Sequence, residues 1–390
     1  MIIRELDDDA ARAVITERLM PTFLELVFSK WDPAFRETPE GKQGMTVALV
    51  DRYLDSRRHG VPWLDRAIDL SSSRIVEIGC GTGSSTVAMA EHCQWVVALD
   101  VDQSSVDAAR ARAVAHDVAN VEFRSCPPEE ILAAALAVAD ADVFVLFAVL
   151  EHLTVAERLQ TLTSLWEALP RGGAIAIIET PNRLTYRDRH SSEVDFLHLL
   201  PDELAFRLVD LSPRAAYRDV VGRAAANPSP IDASVGRVRF GLGASFHEFL
   251  AALDEPLEEI VIADGYEDEI TSWFGIHLDE LLLLQYMLAE SIAVPCAFAR
   301  SVLNVVLRKP TGADDRSAAA AFNAARREAL TGRYPLAPPG WHDQPAAQPS
   351  GPSTAPAPAG PERGNRRPVL DVLVATARSA ARRVADRVGR

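Results

Sequence analysis

Short apolar runs alternate with helical stretches through the middle of the chain. From Arg74 onward the runs RIVEIG, WVVALD, NVEFRS, ADVFVLFA and GAIAIIE are rich in β-branched and aromatic residues, and stretches such as SSVDAARARAVAHD separate them. Strands that alternate with helices indicate βαβ crossovers and a sheet buried on both faces. Two later runs, EEIVIAD and SVLNVVLRKP, predict two further strands. We therefore expect an α/β fold with a doubly wound, mostly parallel, seven-stranded Rossmann-like sheet.

The same patterns divide the chain into segments. Apolar positions such as Phe23, Leu26 and Val27 recur at helical spacing before the first strand, which predicts a helical cap. Nine prolines among Ala, Gly, Ser and Gln in residues 335–361 cannot support a core, so a flexible linker is expected there. The predicted segments are the N-terminal cap (1–70), the main domain (71–310) with a substrate-facing insertion at about 183–240, an additional helix (311–331), the linker (332–365) and a basic amphipathic helix (366–390).

Charge and cysteine content narrow the range of functions. The 390 residues have a formal net charge of −15, which disfavours non-specific nucleic-acid binding because neutralising phosphates requires clustered Lys and Arg. The four cysteines have no CxxC spacing, so neither a disulfide framework nor a structural zinc site is expected. The sequence starts without a secretory signal and contains no apolar run of about 20 residues, so we expect a cytoplasmic protein without a transmembrane segment.

The most specific motif is Glu77-Ile78-Gly79-Cys80-Gly81-Thr82-Gly83, between a predicted strand and a predicted helix. Glycines allow a sharp turn and close approach to a ligand, and the following helix presents free N–H groups. We therefore expect a small polar ligand at this loop. Two other interpretations are a tight turn that binds no ligand and a nicotinamide site, whose fingerprint is Gly-x-Gly-x-x-Gly. An acid at position 77 would oppose a pyrophosphate and suits a cationic sulfonium.

With this motif, residues 71–182 resemble the class I S-adenosylmethionine-dependent methyltransferases. The resemblance implies S-adenosyl-L-methionine as cofactor and Asp100, at the end of WVVALD, as the acid that binds the ribose hydroxyls; Asp102 competes for this role. The chain departs from the family after the third strand, where Cys126 and Pro127 stand in place of an acid and leave the adenine to backbone and packing, or to Glu129. The implied cofactor-binding residues are Glu77, Gly79, Cys80, Gly81, Gly83, Asp100, Val101, Cys126, Pro127, Phe147 and Ala148.

Candidate residues for the transfer step follow the fourth and fifth strands. Methyl transfer to a hydroxyl requires an aligned nucleophile and a base. The segment TPNRLTYRDRH places polar groups at the carboxyl end of the sheet, where we predict His190 as base and Asp188 as its orienter, unless both are ordinary loop residues. His152, beside Glu151, is a further catalytic candidate, and His198 and Tyr186 are reserves. No cluster with a recognisable metal-ligand spacing accompanies Asp188 and His190, so metal-independent transfer is expected.

The leading hypothesis is O-methylation of a small molecule or of a sugar or glycan hydroxyl, because LPDEL also resembles small-molecule and sugar O-methyltransferases. The alternatives are N- or C-methylation in the same fold, a non-catalytic cofactor-binding scaffold and NAD-dependent oxidoreduction. Residues 366–390 contain seven Arg against two Asp. This tail fits an anionic membrane surface, a protein partner or a disordered basic end without a partner.

Overall fold

The computed structural model describes residues 2–266 and 276–334 of the chain. The predicted basic helix over 366–390 and nearly all of the predicted linker lie outside the described residues.

A seven-stranded sheet forms the centre of the described structure, with strand order β3-β2-β1-β4-β5-β7-β6. The first five strands pair in parallel, and β7 runs antiparallel to both β5 and β6. The predicted α/β class and mostly parallel seven-stranded sheet are confirmed. The strand bounds are β1 Arg74–Ile78, β2 Trp95–Asp100, β3 Val121–Ser125, β4 Val143–Phe147, β5 Ala174–Pro181, β6 Val261–Asp264 and β7 Val302–Arg308.

Helices cover both faces of this sheet, which explains why its central strands are apolar throughout. Ile75 and Val96 lie in one buried core, whereas their neighbours Val76 and Val97 lie in the other. The helices that follow the first strands are α6 Ser84–Ala90, α7 Gln103–Ala115, α8 Ile131–Leu136 and α9 Val155–Ala168 (α1–α5 precede β1), and those towards the C-terminus are α13 Phe246–Leu253, α14 Leu278–Ala289 and α15 Ala313–Arg333.

The residues before β1 are helical and pack on the first core. The segments are α1 Asp8–Leu26, α2 Pro33–Glu37, α3 Pro39–Thr46, α4 Arg52–Asp55 and α5 Val61–Ala67, with π-helical turns at Val47–Asp51 and Ser56–Gly60. The junction residues between α3 and α5 keep right-handed helical dihedral angles, so residues 39–67 form one helical run. We call it the cap helix. π-Turns within helices are often found at functional sites.

The segment after β5 forms a small helical layer with its own core. Its helices are α10 Asp202–Ala205, α11 Ala215–Ala225 and α12 Pro230–Gly241, and they enclose Leu197, Ala205, Val209, Tyr217 and Val221. The layer returns to the sheet where the Leu242 N–H donates to the Glu151 carbonyl at 2.8 Å and the Ala244 N–H donates to the Pro181 carbonyl at 2.9 Å. The layer therefore covers the carboxyl ends of β4 and β5.

Among the helices that the structure describes, none combines the length and apolar character needed to cross a membrane.

Candidate functional site

Three glycines shape the loop between β1 and α6. Gly79, Gly81 and Gly83 have φ values of +76°, +51° and +76°. A Cβ on Gly79 would lie 2.6 Å from Val149 Cγ2, and one on Gly83 would lie 2.8 Å from Ala109 Cβ. A Cβ on Gly81 would meet no atom within 4 Å. The outer glycines thus allow close packing, whereas the middle one borders open space in which a ligand could approach the backbone.

Glu77, the next-to-last residue of β1, lies before this loop and is completely buried. Its carboxylate accepts hydrogen bonds from the hydroxyls of Ser85, at 2.5 Å, and Thr86. Burial raises the pKa of Glu77, against the lowering effect of these two hydroxyls. The described contacts show Glu77 anchoring the start of α6, and its predicted interaction with a cationic cofactor stays a prediction.

Two aspartates follow β2 and have different surroundings. Asp100 accepts from the Gly81 N–H at 2.7 Å and from the Asp102 N–H at 2.9 Å, so its carboxylate faces the glycine loop. Asp102 caps α7 and forms an ion pair with Lys30 at 2.7 Å. Burial alone would raise the pKa of Asp102, but hydrogen bonds from Lys30 and the serines of α7 outweigh burial and lower it to about 2. Of the two acids, Asp100 is the one placed for a ligand in the loop.

The remaining predicted cofactor residues lie at the same edge of the sheet. The Cys126 N–H donates to the Asp100 carbonyl at 2.9 Å, which places the Cys126-Pro127 turn beside the end of β2. Val101, next to Asp100, is half exposed. Cys80 is buried, and burial raises the pKa of its thiol well above the ordinary value, so a reactive thiolate is disfavoured there.

The end of β4 completes this edge. Ala148 has a φ of +54°, unusual for a residue with a Cβ, and its N–H donates to the Ile178 carbonyl of β5 at 2.8 Å. Phe147 lines a cavity of about 60 Å³ together with the glycine loop and with Arg52 and Ser56 of the cap helix. Ligand pockets are usually roughly 300 Å³ or larger, so we expect the cap helix and the loop to separate when a cofactor binds. The apolar spacing before β1 predicted a helix there but did not indicate that Arg52 or Ser56 lies at this cavity.

A larger cavity, of about 200 Å³, lies at the ends of β5 and β7. Its walls include Glu179, Asp188, His190 and His198. Two of the predicted catalytic candidates, Asp188 and His190, therefore lie in one cavity. The third, His152, lies next to it with its ring centroid 5.9 Å from that of His190.

Asp188 hydrogen-bonds to the backbone of the loop that contains His190. Its carboxylate accepts from the N–H groups of His190 at 3.1 Å, Ser191 at 2.8 Å and Ser192 at 2.8 Å, and from the Ser192 hydroxyl at 2.8 Å. These contacts hold the backbone from His190 to Ser192, and the expected role of Asp188 in orienting the imidazole stays a prediction. The reserve residues are also engaged: His198 Nε2 lies 2.8 Å from the Thr185 carbonyl, and Tyr186 packs on Phe196.

The carboxylate nearest the two imidazoles belongs to Glu151. Its Oε1 lies 3.8 Å from His152 Nε2 and 4.0 Å from His190 Nε2. We call Glu151, His152 and His190 the acceptor-side triad. Glu151 is fully buried, and in the described structure neither of its carboxylate oxygens has a hydrogen-bond partner. The sequence identified Glu151 and His152 as neighbours but gave no indication that His190 lies close to them.

Burial dominates the protonation of these groups. It raises the pKa of Glu151 to about 8 and lowers the pKa of His190 to about 4, and it also lowers the pKa of His152. Both imidazoles are therefore neutral near pH 7 and offer lone pairs. Glu179, with a φ of +55° at the cavity wall, has a pKa that burial raises to about 7.

The acceptor-side triad and the glycine-loop cavity are neighbours. Val149, which packs on Gly79, is two residues from Glu151. Arg52 lines the glycine-loop cavity, and its positive charge acts on Glu151, Glu179 and His190. The two sites thus share the cap helix and the segment after β4.

Comparisons with known proteins agree with this geometry. Residues 75–173 match the model of a methyltransferase domain family. A probable S-adenosylmethionine-dependent methyltransferase of Mycolicibacterium smegmatis is 29% identical over 36% of this chain and 51% of its own length. A protein of the same description from Mycobacterium tuberculosis is 29% identical over 40% of this chain and 53% of its own length. The ubiquinone biosynthesis O-methyltransferase of Acinetobacter baylyi is 33% identical over 18% of this chain and 29% of its own length.

The chain thus spans about half the length, or less, of these relatives. The matched residues contain the glycine loop, Asp100, the end of β4 and the first two members of the acceptor-side triad. The sheet order, the loop and the family match together identify residues 75–173 as a class I S-adenosylmethionine-dependent methyltransferase domain, with S-adenosyl-L-methionine as the cofactor.

Proposed function

We propose that this protein catalyses S-adenosylmethionine-dependent methylation of a hydroxyl oxygen on a small molecule, a sugar or a glycan. The observation that supports this best is the acceptor-side triad, which begins after the end of β4 close to the glycine loop and whose His190 lines a cavity of about 200 Å³. In the proposed step the acceptor oxygen attacks the methyl carbon and the carbon–sulfur bond breaks. Its electron pair stays on sulfur and yields S-adenosylhomocysteine, while the acceptor loses its hydroxyl proton to a base.

The described residues support an oxygen acceptor in two ways. A neutral imidazole such as His190 can take the proton that a hydroxyl must lose, as we predicted from the sequence. One relative is named as an O-methyltransferase, although its match covers only 70 residues. A nucleic-acid acceptor is not proposed, because the chain has a formal net charge of −15. We also propose a cytoplasmic location, on the basis of four cysteines that form no disulfide in the structure.

The cofactor half of this proposal is tested by isothermal titration of the full-length protein with S-adenosylmethionine, S-adenosylhomocysteine and NAD. We expect saturable binding of the first two and none of NAD. Binding of NAD alone would overturn the proposal in favour of oxidoreduction.

The transfer half is tested with methyl-labelled S-adenosylmethionine and a panel of phenols, glycosides and amines. We expect label on hydroxylated acceptors, and about a 100-fold or greater loss of turnover in His190→Ala with nearly unchanged cofactor affinity. His247→Ala is the matched control, because His247 is exposed and lies outside the triad. Label on amines alone would replace O-methylation by N-methylation, and cofactor binding without label on any acceptor would indicate a scaffold protein.

A further inference from the structure

The acceptor-side triad has the composition and spacing of a metal site. One ligand atom from each of Glu151, His152 and His190 lies within 4.8 Å of the others. Two atoms that bind one ion at about 2.1 Å can be at most roughly 4.2 Å apart. The separations of 3.8 Å and 4.0 Å from the Glu151 oxygen to the two imidazole nitrogens meet this limit and are too long for hydrogen bonds.

The carboxyl group of Glu151 has no hydrogen-bond partner in the described structure. A fully buried carboxyl group without a hydrogen-bond partner is costly, because its polar atoms lose their hydration and gain no partner in return. One of its oxygens lies 3.8 Å from His152 Nε2 and 4.0 Å from His190 Nε2. A cation between the three side chains would supply the missing partner.

His152 is oriented as a metal-binding histidine usually is. Its Nδ1 lies 3.0 Å from the Arg239 carbonyl, and since a carbonyl only accepts, Nδ1 must donate. This hydrogen bond fixes the tautomer and leaves a free lone pair on Nε2, which lies 3.8 Å from Glu151 Oε1. A second partner of this kind, on the far nitrogen, is typical of histidines that ligate metals.

The surroundings hold the triad in place. The buried Arg158 donates to the carbonyls of Leu150 at 2.6 Å and Gly243 at 3.0 Å, so it ties the Glu151 segment to the return of the helical layer. Gly241, with a φ of +126°, makes room for the His190 ring, because a Cβ there would lie 2.8 Å from His190 Nε2. The three side chains thus meet on a supported backbone, as a preorganised site requires.

We propose that Glu151, His152 and His190 bind a divalent transition-metal ion, of the Zn²⁺, Co²⁺ or Mn²⁺ class, with open coordination positions towards the acceptor cavity. Two imidazoles and one carboxylate suit these ions, whereas Mg²⁺ and Ca²⁺ prefer oxygen ligands throughout. Only the use of the ion, to hold an acceptor oxygen beside the cofactor, rests on the proposed methyl transfer. This proposal departs from the expected metal independence: with the ion bound, His190 would be one of its ligands, and His190 would act as the base proposed above only in the metal-free protein.

Cobalt binding to the untagged full-length protein tests this inference. After treatment with a chelator and dialysis, Co²⁺ is added and its visible absorption bands are recorded. We expect about one equivalent to bind, with at least tenfold weaker binding in Glu151→Gln and His190→Gln and unchanged binding in His247→Gln. Equal binding by all four proteins, or no binding by the parent protein, would overturn the proposal.

A second variant keeps the test decisive if a glutamine variant folds poorly. His190→Cys keeps a ligand atom, so it should bind Co²⁺ and add an intense thiolate-to-metal band in the near ultraviolet. Absence of this band in a folded His190→Cys protein would contradict the assignment of His190. The cofactor titration described above is a separate readout: loss of cofactor binding there would refute the methyltransferase proposal and leave the cobalt result standing.

Discussion

Asp100 and Asp102 are two residues apart, yet only one faces the glycine loop. Asp100 accepts hydrogen bonds from the Gly81 and Asp102 amides, whereas Asp102 is engaged with Lys30 and the first turn of α7. We predict that Asp100→Ala weakens S-adenosylmethionine binding by about 2 kcal/mol, because two charge-assisted hydrogen bonds to the ribose would be lost.

Isothermal titration checks this value, with Asp102→Ala as the matched control. The control should lose helix-cap stability of about 1 kcal/mol and keep its cofactor affinity. The reverse order of affinities would assign the ribose to Asp102.

The raised pKa of Glu179 should make the free energy of unfolding depend on pH. Burial raises its pKa to about 7 in the folded protein from an ordinary value of 4.5. Between these pH values the unfolded chain has released the proton and the folded chain still holds it, so this contribution is complete below pH 4.5 and is lost as the pH rises to about 7. We predict that Glu179→Gln reduces the loss of stability between pH 5 and pH 8 by about 2 kcal/mol.

Urea unfolding of the parent protein and Glu179→Gln at both pH values measures this difference. Glu151 contributes a loss of the same sign in both proteins, so only the comparison between them is informative. Parallel changes in the two proteins would show that Glu179 is ionised in the folded state at pH 5.

At the scale of elements, Arg112 of α7 joins the cap helix to the glycine loop. Its guanidinium is completely buried and donates to the carbonyls of Ala48 and Leu49, in the first π-turn, at 3.0 and 2.9 Å, and to the Thr82 carbonyl at 2.9 Å. Its charge also lies 5.0 Å from the Phe23 ring centroid in α1. The π-turn and the tight loop leave these carbonyls without a backbone partner. The Arg112 side chain supplies the missing donors for both elements.

We predict that Arg112→Met destabilises the protein by about 3 kcal/mol and also weakens cofactor binding, because three buried carbonyls lose their donor and the loop loses its support. Chemical unfolding and isothermal titration measure the two effects. Arg110→Met, two residues away on α7 in an exposed pair with Asp107, should cost less than about 1 kcal/mol. Equal effects of the two substitutions would contradict the role given to Arg112.

At the scale of the whole molecule, the candidate residues of both sites lie before α15 ends at Arg333. The Tyr334 N–H still donates to the Leu330 carbonyl at 2.8 Å, so Tyr334 belongs to this last helix. We predict that a chain ending at Tyr334 binds S-adenosylmethionine with an affinity within about twofold of the full-length protein, as measured by isothermal titration. A large loss would mean that residues beyond 334 contribute to the site.

The predicted basic helix over 366–390 is tested by measuring association with membranes or other proteins, because we do not expect it to affect cofactor binding. We propose that it contacts an anionic membrane surface or a protein partner. Co-sedimentation with anionic vesicles and light scattering, each at low and high salt, should separate the full-length chain from the chain ending at Tyr334. Identical co-sedimentation and light scattering of the two chains would contradict this proposal and favour a basic tail without a partner.

The local pattern of the sequence was sufficient for the fold and for the grouping of the glycine loop with Asp100. Apolar periodicity identified the strands and helices, and the order of glycines and acids placed Gly79, Gly81, Gly83 and Asp100 at one edge of the sheet. These features are readable because backbone hydrogen bonding, turn conformation and burial on both faces of a sheet each depend on residues close together in the chain.

The acceptor side was decided only by the tertiary structure. Asp188 and His190 are two positions apart, but their loop turns the Asp188 carboxylate to backbone amides and the His190 ring to Glu151, which follows a different strand. Arg52 and Arg112 likewise reach the glycine loop from the cap helix and from α7. Spacing in the sequence could not reveal these contacts, because the direction in which a loop side chain points depends on the elements packed around it.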